Sequence, residues 1–384
     1  MDFNLSPEQQ LIKQTVSRIA QDVLAPKAAE IDANLSFPRE GLAALSDAGL
    51  MGILLPQAFG GGSADTLSFV LATEETAKGC ANTALIYVTH MAAALGLLMA
   101  GTDAAKQRLL PAMAKGEKLG AFAVTEPNCG ANAFALQTTT QVQGDEYVLN
   151  GAKNFITSGG DADVYLILAR MAGTAGPVGL TPFVVERGAP GFSLGKKDVR
   201  LGLNGVSSCE LIFQDCRIPR DNIVGQEGGY FPALAMAVAG LGVLGAAAIS
   251  IGLAQAAVDA SVVYGAQRVV GGVPIGNWQA IQTHVSDMSA AVDAARALNY
   301  WAAFQRDNAP PGMPVLALKS KLFATEMAVD VCNRALQVHG GTGYTKEMPL
   351  ERYYRDARGL TLHFSPSEML RETIGRALMN LLPG

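Results

Sequence analysis

Gln337-Val-His-Gly-Gly-Thr-Gly-Tyr344, Glu351-Arg-Tyr-Tyr-Arg-Asp-Ala-Arg358 and Leu362-His-Phe-Ser-Pro-Ser-Glu368 follow one another near the end of this 384-residue chain. Gly340-Gly341 either ends a helix or lets backbone approach a ligand closely, because neither residue carries a Cβ. His363 is an imidazole with an unperturbed pKa of ~6.5, suited to acid or base work, or else a hydrogen-bonded structural residue. Its neighbour Phe364 has a benzyl side chain and cannot accept a proton.

Working back from this block, the helical period extends to Gly228 in about four long segments, with Asn308-Ala-Pro-Pro-Gly-Met-Pro314 breaking two of them. The stretch from Gly228 to Val258 carries no charge and is long enough to cross a bilayer. Its Ala and Gly content and the absence of a basic flank make it a buried central helix, so no membrane span is expected. Upstream, Ala121–Thr125, Tyr147–Asn150, Val164–Ala169, Thr181–Val185 and Cys209–Phe213 read as strands, and Asn150-Gly151 as a hairpin signal. Before Gly120 the pattern is helical again. Ser6-Pro7-Glu8-Gln9 looks like a capped start, and Pro56 with Gly60-Gly61-Gly62 marks a loop. The expected fold is α+β: an N-terminal helical domain (1–118), a central antiparallel, barrel-like β domain (119–227) and a C-terminal four-helix bundle (228–384).

Apolar residues make up 49% of the chain and charged residues 16%, so a large core or interface is expected and disorder is not. A net charge of −5 gives no reason to expect nucleic acid. Five cysteines without CxxC spacing read as reduced cytoplasmic thiols, neither a disulfide framework nor a metal site. The first ten residues lack the basic and apolar regions of a signal peptide.

Five motifs in order resemble the acyl-CoA dehydrogenase family of flavoproteins over essentially the whole chain. They are Phe122-Ala-Val-Thr-Glu-Pro-Asn-Cys-Gly130, Asn150-Gly-Ala-Lys-Asn-Phe-Ile-Thr157, Arg268 with Gly272 and Pro274-Ile275, Gln337-Val-His-Gly-Gly341, and Glu351-Arg-Tyr-Tyr-Arg-Asp356. The resemblance implies FAD as cofactor. Thr125, with Phe122 and Val124, and Thr157, with Phe155 in place of a usual Trp, would meet the flavin. Hydroxyls at strand ends also commonly bond their own backbone. Arg268 would hold the pyrophosphate, its fork of donors suiting phosphate. Gln279, Gln337, Gly340 and Gly341 would surround the ADP half, and Ser367 and Glu368 would lie beside the flavin. His339 and His284 read as a structural and a surface residue.

The departures concern the reacting end of the substrate. Dehydrogenation needs a base for the α-proton while hydride leaves the β-carbon, and a positioned Glu suits that task. Aligned with the family, the usual Glu falls on Phe364 and the alternative Glu, on the first bundle helix, falls on Gly242. Nearby family residues are replaced by Val243, Ala131 and Pro366. His363 is the remaining candidate for proton transfer, and His90 is placed by the resemblance where the acyl pocket begins.

Three readings follow. The first is an FAD-dependent oxidoreductase acting on a thioester of CoA or a carrier protein without the Glu, in either direction or as an eliminating enzyme. The second is an oxygen-using monooxygenase, suggested by Thr361-Leu-His363. The third is a flavoprotein that has lost activity. An electron-transfer flavoprotein or oxygen would be the redox partner, and a homotetramer the assembly.

Overall fold

The computed structural model describes residues 4–130, 132–176, 179–229, 238–308 and 315–380. The chain begins as expected. Ser6 caps α1 (Pro7–Ile19) in a reciprocal box with Gln9, which satisfies two backbone donors at the helix start. A π-turn (Ala20–Leu24) carries the helix into α2 (Ala25–Asn34). There follow α3 (Arg39–Asp47), α4 (Thr66–Gly79), α5 (Ala81–Ala100) and α6 (Asp103–Ala114). Asp65 and Thr102 cap α4 and α6 through their side chains.

Seven strands form one sheet: β1 (Gly120–Ala123), β2 (Thr139–Gln143), β3 (Glu146–Ile156), β4 (Val164–Met171), β5 (Leu180–Glu186), β6 (Phe192–Lys197) and β7 (Cys209–Pro219). The sheet is mixed rather than purely antiparallel. β1 and β2 both run parallel to β4, while the remaining pairs are antiparallel. The long path from β1 to β4, containing the whole β2–β3 hairpin, supplies the crossover that parallel pairing needs. The Asn150-Gly151 hairpin does not form. Gly151 lies inside β3 at a register shift against β7, at φ 146° and with the Thr138 Cα 2.7 Å from where its Cβ would be. This glycine serves a bulge and a close backbone approach. The β2–β3 turn falls instead at Gly144-Asp145.

After the sheet come α7 (Val243–Gln267), a two-stranded ribbon of β8 (Val269–Val270) and β9 (Val273–Pro274), α8 (Gln279–Asn308), α9 (Val315–Gly343), α10 (Leu350–Leu360) and α11 (Ser367–Leu378). α7, α8 and α9 pack on one another, α10 lies against α9 and α7, and α11 against α9. The uncharged run is helical from Val238 among the described residues, and the most apolar window of Gly240–Gln267 is 89% buried inside the protein. α7 also packs on α4 and α5, where small residues permit close approach. A methyl group on Gly245 would sit 2.5 Å from Val88 Cγ1. Consequently one hydrophobic core runs through both helical segments, from Val16 to Ile374, while the sheet keeps a second core around Tyr147, Tyr165, Phe183 and Phe213.

Candidate active site

Two motifs of the β domain are tied together by a buried ion pair. Lys153 of β3, wholly inaccessible to solvent, places Nζ 2.6 Å from Glu126 Oε1 and 3.2 Å from the Val124 carbonyl oxygen. Glu126 also accepts from the backbone N–H groups of Gln137 and Thr138, and Asn154 N–H donates to the Thr125 carbonyl at 2.8 Å. Burial alone would raise the Glu126 pKa, but Lys153 and these donors hold it below the usual carboxylate range. The pair fixes Thr125 relative to Phe155 and Thr157.

Just beyond Lys153 the register with β7 shifts again, and Phe155 takes φ 56°. That conformation is costly for an aromatic residue, and it leaves the ring 66% exposed. Thr125, Thr157, Phe122 and Val124 are half-buried around it. Asn154 Oδ1 and Ser158 Oγ are buried without a partner among the described residues, as is Ser367 Oγ at the N-terminus of α11.

Gly242 and Phe364, the two positions singled out by the sequence resemblance, meet in space. A methyl group built on Gly242 would lie 2.7 Å from Phe364 Cε1, with Cδ1 nearer still. The Phe364 ring therefore occupies the volume a side chain at 242 would enter. Phe364 and Ser365 have φ of 54° and 117°, so this ring is presented by strained backbone.

His363 sits beside it, with Nδ1–H donating to the Gly359 carbonyl at 2.8 Å. Burial, with Arg200 and Lys321 nearby, pushes its pKa down to about 4. At neutral pH it is an uncharged imidazole that carries no proton to donate from Nε2, and its basicity is low. This weakens the expectation that His363 transfers the proton.

His90 does not line an open pocket. Gly120 N–H donates to His90 Nδ1 at 3.0 Å and Nε2 faces the Met51 carbonyl at 3.0 Å, so both ring nitrogens brace β1 against the 50–52 turn. Desolvation lowers its pKa to about 4. The unfolded chain therefore binds a proton that the fold rejects, and stability falls as pH drops from about 6.5 toward 4. His90→Gln should flatten that part of the stability profile, measured as urea unfolding at pH 7 and pH 5. An unchanged slope would remove His90 from the acid response. Val243 is likewise turned into the core, 1% exposed, and Ala131 lies outside the described residues.

The remaining motif residues gather at another end of the bundle. Tyr264, one turn before Arg268, stacks on His339 with centroids 4.3 Å apart, bringing the ends of α7 and α9 together. Arg268, Gln279, Gln337, Gly340 and Gly341 are all exposed. Gly340 breaks α9 at φ 57°, and a Cβ on either glycine would meet nothing within 4 Å. The glycines thus break the helix and leave open surface there. His339 is buried as expected, and His284 is half-buried rather than fully at the surface.

Models of the N-terminal, middle and C-terminal domains of acyl-CoA dehydrogenase match residues 6–117, 121–216 and 233–379. The chain belongs to the acyl-CoA dehydrogenase family. An acryloyl-CoA reductase (NADH) of Anaerotignum propionicum is 42% identical over 381 residues, 99% of this chain and 96% of that protein. The structure of butyryl-CoA dehydrogenase from Megasphaera elsdenii has a TM-score of 0.95 at 36% identity, covering 99% of this chain and 100% of that one. A chain from work on the electron-transferring flavoprotein of Acidaminococcus fermentans has a TM-score of 0.96 at 37% identity, with 99% and 100% covered.

As a family member the chain is an FAD-dependent oxidoreductase. Its residues fit the cofactor. The exposed Phe155 ring offers an aromatic face, and Asn154 Oδ1, Ser158 Oγ and Ser367 Oγ are polar atoms awaiting partners. Arg268, exposed four residues after the Tyr264 that stacks on His339, is suited to a pyrophosphate.

Sequence reading missed Lys153–Glu126 as the clamp between the two motifs, and it missed Lys321. A signal for Lys321 existed: Ala317, Lys321, Ala324 and Ala328 fall on one helical stripe and all are buried.

Proposed function

We propose that this chain moves hydride between an acyl thioester and FAD without a protein carboxylate at the substrate α-carbon. The observation that carries this reading is the Phe364–Gly242 contact, since one aromatic ring fills both places where the family resemblance puts a Glu. Bound FAD supplies the hydride acceptor or donor. Phe364 makes the slot apolar and offers no group to take a proton, and His363 is held neutral beside it. The α-proton is therefore exchanged with water or with a group on the substrate. By microscopic reversibility the missing base slows both directions alike, and the redox partner sets the direction of net flow.

The relatives are named for acyl-CoA thioesters and for an electron-transferring flavoprotein, which supports CoA as carrier and such a flavoprotein as partner. The reductase among them makes reduction of a short enoyl thioester the first direction to assay. Exposed Val262, Val263, Trp278, Trp301 and Phe304 on the bundle support a homotetramer. Five free, buried cysteines support a reducing, cytoplasmic compartment.

Anaerobic mixing tests the reading. Acyl-CoAs should bleach the oxidised holoenzyme, or enoyl-CoAs should reoxidise the reduced one. No absorbance change with any thioester in either direction would sink it. His363→Ala should keep turnover within about tenfold of wild type, because a general acid or base contributes ~10²–10⁴-fold and this imidazole has little basicity.

A further inference from the structure

Lys321 is a buried cation that no carboxylate contacts among the described residues. It lies on α9 with no accessible surface, and Nζ donates to the carbonyls of Ser365 at 2.7 Å and Thr361 at 3.2 Å. A lysine without an ion-pair partner is an expensive core residue, and an apolar side chain would suit this stripe better. What the ammonium satisfies is specific: two backbone oxygens at either end of the α10–α11 loop. The residues between those oxygens include His363 and Phe364, and Phe364 and Ser365 hold positive φ. Strained backbone persists only where its surroundings over-determine it. Two elements do so here. Lys321 grips the loop from below, and the Gly242 backbone, lacking a Cβ, receives the ring.

We propose that Lys321 is the positioning residue of this site, tying both ends of the 361–365 loop so that the Phe364 ring stays seated on Gly242. The role rests on the proposed function only in placing substrate beside that ring; the latch itself is a property of the chain without substrate. Lys321 touches no reacting atom and acts through Phe364. The interlock has two halves, and loosening either one frees the loop.

Hydrogen–deuterium exchange on the full-length, FAD-loaded enzyme without substrate tests the latch. Lys321→Met should speed exchange of the peptide covering 361–366 by about tenfold or more, since charge-assisted bonds to backbone are lost. Peptides of β3 and α4 should be unchanged, and Lys321→Arg should restore much of the protection. Gly242→Ala, with Lys321 intact, should speed exchange of the same peptide by unseating the ring. Flavin reduction by an acyl-CoA supplies the second readout. Lys321→Met should alter its rate in the Phe364 enzyme and have no further effect in Phe364→Gly. Unchanged loop exchange in both Lys321→Met and Gly242→Ala would overturn the proposal. So would exchange raised equally throughout α9 and α11, or the same rate loss from Lys321→Met in both backgrounds. If Lys321→Met does not fold, Gly242→Ala and Lys321→Arg decide. Because the exchange arm uses no substrate, its failure is distinct from failure of the thioester reading.

Discussion

Phe364→Glu should raise the rate at which an acyl-CoA bleaches the flavin by about 10²–10⁴-fold, the usual contribution of a positioned general base. The position is already aimed at the slot, because its ring lies against the Gly242 backbone. Gly242→Glu by itself should gain nothing. Its side chain would collide with Phe364, and overpacking of this kind costs roughly 1–3 kcal/mol. Gly242→Glu with Phe364→Gly should recover the gain, since the second change vacates the shared volume and tolerates φ of 54°. Anaerobic stopped-flow reduction separates these cases. Equal rates in all three variants would mean that the substrate α-carbon does not lie at this slot.

The second large effect concerns stability and cofactor retention. Lys153→Met would leave Glu126 as a buried, unpaired carboxylate, a change that costs about 3–5 kcal/mol. The same substitution releases the clamp between residues 124–126 and 153–157, so FAD should be lost on gel filtration under conditions where the wild type retains it. Lys153→Met with Glu126→Gln should recover more than half of the stability, because the amide oxygen can still accept from Gln137 and Thr138. The sign with pH follows from the lowered Glu126 value. The pair's contribution is complete above the unfolded carboxyl pKa of ~4.3 and disappears as pH falls through the folded value. Chemical unfolding of the three proteins at pH 7 and pH 4 measures it. A single mutant as stable as wild type at pH 7 would show that the pair contributes little.

The architecture was legible because it rests on periodicity and punctuation. Ser6 and Gln9 announced a cap, and the apolar run before Val258 announced a buried helix. Strands with dense β-branched or aromatic content were visible. β2, Thr-Thr-Gln-Val-Gln, has β-branched residues but is polar and mostly exposed, and β6 carries Lys196 and Lys197 on an edge; neither shows an apolar run, and both went unseen. Asn150-Gly151 misled because an Asn-Gly pair signals left-handed backbone without saying whether a turn or a bulge uses it. At the site, the resemblance directed attention to positions 364 and 242, but only folding could show that Phe364 and Gly242 share one volume. The burial of Lys321 was signalled by its apolar stripe, but its role was not, because its acceptors are backbone carbonyls, which no side-chain pattern records.

The shared helical core has a consequence for how the molecule is made. α7 is translated after the whole sheet, and besides its packing on α9 and α8 it covers apolar surface of α4 and α5. The sheet keeps one core of its own and gives another face, through Val164, Leu166, Leu168, Leu180 and Val184, to the core of the helices. Until α7 emerges from the ribosome, the N-terminal helices must wait with apolar surface uncovered, so contacts of high sequence separation complete the fold. A fragment ending after the sheet should therefore aggregate through α4 and α5.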